Sequence, residues 1–437
     1  MHETDGVLMI FRKLSLIAVA VSISLLANLP AISANGVKTD SLMKEGQERK
    51  MPLVKSTVGE VVESTERFGL DLFQKLSAEK KVENCFVSPA SVAIALNFAM
   101  SGAGGSTRQA MAKGLRFSNT QVDTTSAFHE LLNELISTDD KVEMNIANAI
   151  FVDEKFKLNA SFAQSAKSNF QSEIRNENFS NAQTLTKVNA WVAEKTKNHI
   201  PSILSQLAPD AVAVLLNAIY FKGTWTSPFS PEATEEGDFH LENGGTKKVS
   251  FMNRSGKFSY LEGQNFQAVR LPYGASRYEA YVFLPSVSVK LSEFQKNMTS
   301  DNWTKWLNGF ESWSDSHLSL PRFHVDYKSS LNDSLKELGF GEMYSDGADF
   351  SSIHTPPPGL KVGDVIHKTT LDVDEKGTVA TAATAITMFT SSMRVTPTRS
   401  FNMIVDRPFI FAIRDSKTGL LLFFGSIFKP ELKSVHD

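Results

Sequence analysis

Hydrophobic positions recur at helical spacing early in the chain and gather into short runs later, and that change of period sets the expected fold. Val61, Val62, Phe68, Leu72, Phe73 and Leu76 fall largely three or four residues apart, which puts them on one helix face. Further helices are predicted over 91–100, starting at a serine just after Pro89, over 107–115 with Thr107 as cap, and over 126–135. Another is predicted over 184–204, interrupted by Pro201 near its end. From about Val212 short β-branched and aromatic runs take over, at 213–221, 266–271 and 278–284, separated by Gly, Asn and Pro. An alternating run at 317–320 reads as one more strand. Two final apolar runs, 408–413 and 420–428, flank Asp415-Ser-Lys-Thr-Gly419, a hairpin signal. Helices first, strands afterwards, no internal repeat and no linker predict a single α+β domain.

Composition narrows the picture. Hydrophobic residues make up 42 % of the 437, with 31 Phe, which is ample for a large packed core and excludes global disorder. Lys and Arg number 45 against 48 Asp and Glu, so there is no electrostatic case for a nucleic-acid partner. Arg12 and Lys13 precede an uncharged apolar run over 14–29, and small residues Ala31 and Ala34 follow. That order reads as a signal peptide over 1–34, with export and extracellular location, or periplasmic location in a bacterium. The alternative is an uncleaved anchor, for which 16 residues fall short of the roughly 20 a span needs. Met9 lies nearer the basic pair than Met1, so either serves as start. A polar, aperiodic leader occupies 35–57, and the folded domain is expected over 58–434.

Cys85 is the single cysteine, so no intramolecular disulfide is possible, and its apolar neighbours predict a buried, inert thiol. Six Asn-X-Ser/Thr triplets, at Asn159, Asn178, Asn253, Asn297, Asn302 and Asn332, fit the glycan acceptor pattern, which also arises by chance.

Catalytic motifs fail on inspection. His129 and Glu130 begin a zinc-protease pattern, but Asn133 stands where the second imidazole belongs. Glycines at 102, 104 and 105 are not followed by Lys-Ser/Thr, so they mark a turn and not a phosphate loop. No Gly-x-Ser-x-Gly elbow is present, and one cysteine cannot build a metal cluster. Nothing here points to an enzyme, a metal or a cofactor.

One segment stands apart. Residues 378–393 run for 16 positions without charge, proline or glycine. Extended, that is roughly 50 Å at about 3.3 Å per residue, far beyond a typical strand of about five or six. Thr378, Ala380, Ala382 and Thr384 share one face and are all small, while Val379, Thr381, Ala383 and Ala385 share the other. Such a strip suits either ordinary buried strands or a loop that becomes a strand between two existing ones.

Its neighbours carry a resemblance. Asp374-Glu-Lys-Gly-Thr378 and the alanine-rich stretch after it resemble the hinge of the serpin reactive-centre loop. Val405-Asp-Arg-Pro-Phe409 and Leu422-Phe-Phe-Gly425 resemble the family's C-terminal signature. Asn217-Ala-Ile-Tyr-Phe-Lys-Gly-Thr-Trp225 and Phe86-Val-Ser-Pro-Ala-Ser91 resemble its central-sheet and second-helix motifs. The likeness implies three β-sheets, eight or nine helices and an exposed loop near the C-terminus. It implies a monomeric, suicide-substrate inhibitor of a serine protease, trapped covalently when the cut loop inserts into the large sheet.

Site roles follow by motif. Glu375, Gly377, Thr378, Ala380, Ala382, Ala383 and Thr384 correspond to the loop hinge, and Ser88, Ser91, Asn217 and His367 to a polar shutter beneath the sheet opening. Trp225 corresponds to the breach at the top of the sheet. Family spacing sets the reactive bond about sixteen residues beyond Glu375, at Ser391-Ser392, suiting elastase-like or subtilisin-like proteases. A shifted register makes it Phe389 for chymotrypsin-like or Arg394 for trypsin-like targets. Val379 departs from the Glu common in inhibitors, on the face expected to point outward. Non-inhibitory relatives act as carriers or chaperones, so those functions stand as the alternative.

Overall fold

The structure, a computed structural model, describes residues 54–79, 82–136, 139–207, 211–355, 359–377 and 399–432. The reactive-bond candidates Phe389, Ser391, Ser392 and Arg394 and the hinge residues Thr378, Ala380, Ala382, Ala383 and Thr384 lie outside them, as do the signal peptide and most of the leader.

The first helix, Val58–Glu79, buries Val61, Phe68, Leu72, Phe73 and Leu76 along the predicted face. It opens with a reciprocal cap: Glu60 N–H donates to Thr57 Oγ1 at 3.1 Å, and Thr57 N–H donates to the Glu60 carboxylate at 2.8 Å. The second helix, Pro89–Ser101, is almost wholly buried, and Ser88 caps it. Its first residue is a proline, which suits a position where no N–H is needed. Helices Gly105–Gly114 and Thr125–Ile136 lie close to expectation, but Gly104 and not Thr107 precedes the first of them; the Thr107 hydroxyl instead accepts from Asp349 N–H at 2.9 Å.

The helix expected over 184–204 stops at Lys195. Lys197 and Asn198 adopt positive φ, 49° and 64°, so the helix ends before Pro201 acts. Strands also begin earlier than the texture change suggested, at Val142–Asp153 and Glu173–Glu177. The alternating run at 317–320 belongs to an eleven-residue strand, Glu311–Pro321. Among the described residues there are nine α-helices, two of them single turns of four residues, and three sheets.

One sheet is a two-residue ribbon in which Val54–Lys55 runs parallel to Val122–Asp123. The largest has nine strands and includes the C-terminal hairpin: Phe409–Asp415 pairs on one side with Tyr278–Pro285 and on the other with Leu421–Ile427. Cys85–Val87 closes its edge, and Cys85 is buried there with its thiol 3.7 Å from the Tyr327 hydroxyl. Helix Val58–Glu79 covers this sheet, with Phe73 edge-on to Phe424 at 4.8 Å between centroids.

The third sheet has five strands, in the order Phe323–Ser330, Asp364–Val373, Ala213–Gly223, Val142–Asp153, Glu173–Glu177. Two of its inner members, Asp364–Val373 and the central Ala213–Gly223, are parallel and paired to each other from Asp364↔Val214 to Leu371↔Phe221. No other strand stands between them. Both outer neighbours of this pair are antiparallel to it. Apolar side chains cover both faces, as central strands require.

Candidate functional site

The central seam is crossed by a buried polar cluster. His367 and Asn217 are register partners across the parallel pair, and Asn217 is also opposite Asn148 on Val142–Asp153. Ser88 and Ser91 reach the cluster from the start of the second helix, packed behind the sheet. Ser88, Ser91, Asn217 and His367 have no exposed surface, and Asn148 has 3 %.

The hydrogen bonds assign the histidine's proton. Ser88 N–H donates to His367 Nε2 at 3.1 Å, so Nε2 is an acceptor and the neutral ring carries its hydrogen on Nδ1. Nδ1–H then donates to Asn217 Oδ1. The two Asn217 Nδ2 hydrogens go to Ser91 Oγ and Asn148 Oδ1. Ser88 Oγ accepts from Ser91 N–H at 3.2 Å, joining the helix cap to the network. Burial holds the imidazole pKa down, to about 3. The four shutter residues named from sequence are therefore brought together. Asn148 was missed, although an Asn inside Ile146-Ala-Asn-Ala-Ile150 is a polar residue in an apolar strand, and that was the available signal.

A second constellation sits at the end of the same strands. Beyond Val373 the chain makes a tight turn over 374–377: Asp374 N–H donates to Gly377 O at 2.8 Å, and Gly377 N–H to Asp374 O at 3.1 Å. Asp374 Oδ1 also accepts from Lys376 N–H at 2.9 Å and Gly377 N–H at 3.1 Å. Burial nevertheless raises the Asp374 pKa against those bonds.

Gly377 has φ of +138°, and a Cβ there would lie 2.1 Å from Gly223 O. Only glycine fits so close to another backbone at that angle. Trp225 clamps the turn: Nε1–H donates to Asp374 O at 2.9 Å, and its backbone N–H to Lys376 O at 2.8 Å. Its ring stacks on Tyr273 at 4.1 Å between centroids. Phe229 N–H donates to Glu375 O at 2.8 Å. The Glu375 carboxylate is 4 % exposed and binds the Arg322 guanidinium and the Thr234 hydroxyl. Thr234 and Tyr273 carried no sequence signal of their own, because each meets the turn only in three dimensions; Arg322 lies in the family-like stretch Leu320-Pro-Arg-Phe323, which gave it no role.

Chemically, neither cluster arranges a nucleophile, a base and an oxyanion site. Among the described residues no group of three or more His, Cys, Asp or Glu side chains is placed to hold a metal. No helix among them is long and apolar enough to cross a membrane. What the two clusters do is fasten a seam between parallel strands and pin the point where the chain leaves it.

That architecture defines a sheet held closed by polar contacts, and comparison gives the class a name. The family model for the serpins, serine protease inhibitors, matches residues 63–430, and the chain belongs to that family. The chain is similar to Ipis-1 of Ixodes persulcatus, 33 % identical over 368 residues, which is 82 % of this chain and 96 % of the relative. It is similar to alpha-1-antiproteinase of Rattus norvegicus, 32 % identical over 369 residues, 83 % of this chain and 87 % of the relative. Among solved structures it resembles human thyroxine-binding globulin, with a TM-score of 0.79 at 26 % identity, covering 86 % of this chain and all of that one. The expected family and α+β fold hold, and the family is described as one of protease inhibitors rather than of proteases.

Proposed function

We propose that this protein is an exported serine protease inhibitor that is cut in the segment 378–393 and inserts it between Asp364–Val373 and Ala213–Gly223. The observation that carries the reading is the direct parallel pairing of those two strands, one tight turn away from the start of the segment. A chain that reverses at 374–377 runs antiparallel to both strands, so insertion exchanges one parallel ladder for two antiparallel ones. Small, uncharged Thr378, Ala380, Ala382 and Thr384 supply the buried face.

Insertion must part His367 from Asn217, so the polar cluster acts as the latch of the seam, and Trp225 with Glu375 and Gly377 sets where opening begins. The acyl-enzyme formed at Ser391-Ser392 is carried away before it hydrolyses. The name of the rat relative accords with inhibition.

The likeness to thyroxine-binding globulin supports a second reading, a carrier, and one experiment separates the two. The full chain is incubated with elastase-, subtilisin-, chymotrypsin- and trypsin-like proteases and scored for complexes that survive boiling in detergent. The released C-terminal peptide is then sequenced by mass spectrometry. Inhibition predicts a stable complex, a peptide starting at Ser392, and a raised melting midpoint after cleavage between Thr387 and Arg394. Cleavage with no complex and an unchanged midpoint would favour the carrier.

A further inference from the structure

The six acceptor triplets are not equivalent in the folded protein. Glycan transfer to Asn precedes folding, so the fold does not choose the acceptor; it decides which modified chains can reach the native state and leave the cell. A glycosylated amide keeps one hydrogen and needs open space around Nδ2.

Asn332 has neither to spare. Its Nδ2 donates to Gly363 O and to Asp364 Oδ1, both at 2.9 Å, while its Oδ1 accepts from Val365 N–H at 2.9 Å. Asn253 lies in a strand and donates to Ala233 O at 2.8 Å and to Phe251 O at 3.3 Å. Asn159 donates to Ser351 O at 3.2 Å and to Ser352 O at 3.0 Å. Asn302 donates to Asn297 O at 2.9 Å. Asn178 bridges to the Glu154 carboxylate at 2.7 Å and accepts from Ser180 N–H at 2.9 Å. All five of these side chains are half-buried.

Asn297 differs. Its side chain is exposed and has no hydrogen-bond partner among the described residues. It ends the short turn Gln295–Asn297, just before Ser300–Leu307, and its acceptor hydroxyl, Thr299, caps that helix. The turn is rigidly held from the other side. Gln74 Nε2 donates to Gln295 O at 2.9 Å and lies 3.3 Å from both Lys296 O and Met298 O, and Met298 is fully buried.

We propose that Asn297 is the N-glycan attachment site of this protein, an inference that rests on the export reading above. The donor is a lipid-linked diphosphate oligosaccharide. Nδ2 of Asn297 bonds to the first sugar carbon, the bond from that carbon to the diphosphate oxygen breaks, the amide loses one proton, and the lipid diphosphate leaves. The turn contributes no strand to the five-stranded sheet.

The test expresses the full chain in a eukaryotic secretory host. A second arm places a heterologous signal peptide before Asn35, which separates failure of export from failure of the site. Secreted protein is treated with an amidase that converts glycosylated Asn to Asp, and its peptides are weighed. The expected result is a one-dalton gain confined to Asn297 and a drop in apparent mass on treatment. Asn297→Gln and Thr299→Ala abolish that drop, and Thr299→Ser keeps it. Unmodified Asn297 in the heterologous arm, or modification at another triplet instead, overturns the assignment. Failure only of the native-leader arm overturns the export reading and leaves the site standing.

Discussion

Acidifying the medium tests the latch at its most sensitive atom. Burial holds the His367 pKa near 3, whereas an unfolded histidine titrates at about 6.5. The folded value is depressed, so the contribution to stability is fully present above about pH 6.5. It is lost as the unfolded chain takes up a proton that the native one refuses. Each pH unit below about 6.5 costs about 1.4 kcal/mol, which is about 2.7 kcal/mol by pH 4.5, with a ceiling near 5 at about pH 3.

Protonation of the native ring is worse than neutral in a local sense as well. It would set an Nε2–H against the Ser88 N–H that now donates to Nε2. Carboxylates titrate in the same range, so the measurement is a difference. Thermal midpoints are followed from pH 7.5 to 4.5 for the parent and for His367→Gln, whose side-chain carbonyl can still accept from Ser88 N–H but does not titrate. The parent should lose stability more steeply by about 1.4 kcal/mol per unit below about pH 6.5. Equal slopes for the two proteins would refute the assignment of a neutral, proton-refusing His367.

Two further changes probe the exit turn and the segment beyond it. Gly377→Ala drives a methyl into Gly223 O and Trp225 N at a backbone angle that alanine resists, so it should lower stability by about 2–4 kcal/mol and shift Trp225 fluorescence. Thermal melts and emission spectra check it, and a parent-like midpoint would mean that the turn is not confined. Thr378→Arg should turn the inhibitor into a substrate, because insertion would bury an unpaired guanidinium, while Val379→Arg, on the opposite face, should do far less. The number of inhibitor molecules consumed per protease inactivated decides this, and two parent-like variants would sink the insertion mechanism.

Much of this was legible in the chain itself, and the exceptions have physical causes. Helical stripes such as Val61, Phe68, Leu72 and Leu76 announced themselves because one face must be apolar and the other wet. The strand Val142–Asp153 did not, because only Val142-Glu-Met-Asn-Ile146 alternates; its second half is buried on both faces and breaks the pattern, so the alternating stretch is too short to stand out. Residue-type motifs identified Asn217, His367 and Trp225 but gave no role to Asn148, Thr234 or Tyr273. Their partners lie far away in sequence, and only Asn148, a polar residue inside an apolar strand, left a mark that could have been read. Pro201 suggests an end to the 184–204 helix, but two residues in left-handed backbone, Lys197 and Asn198, end it first.

The seam also has a history within each molecule's synthesis. Asn217 and His367 are 150 residues apart, so at about 5–20 residues per second the ribosome leaves roughly 8–30 s between them. For that interval the inner edge of Ala213–Gly223 has no permanent neighbour, and an open edge is an invitation to any passing strand. The core is completed later still, when the residues around Phe428 meet Asn84, 344 positions earlier. A half-made chain of this protein is thus open to wrong pairing along that edge until Asp364–Val373 arrives to cover it.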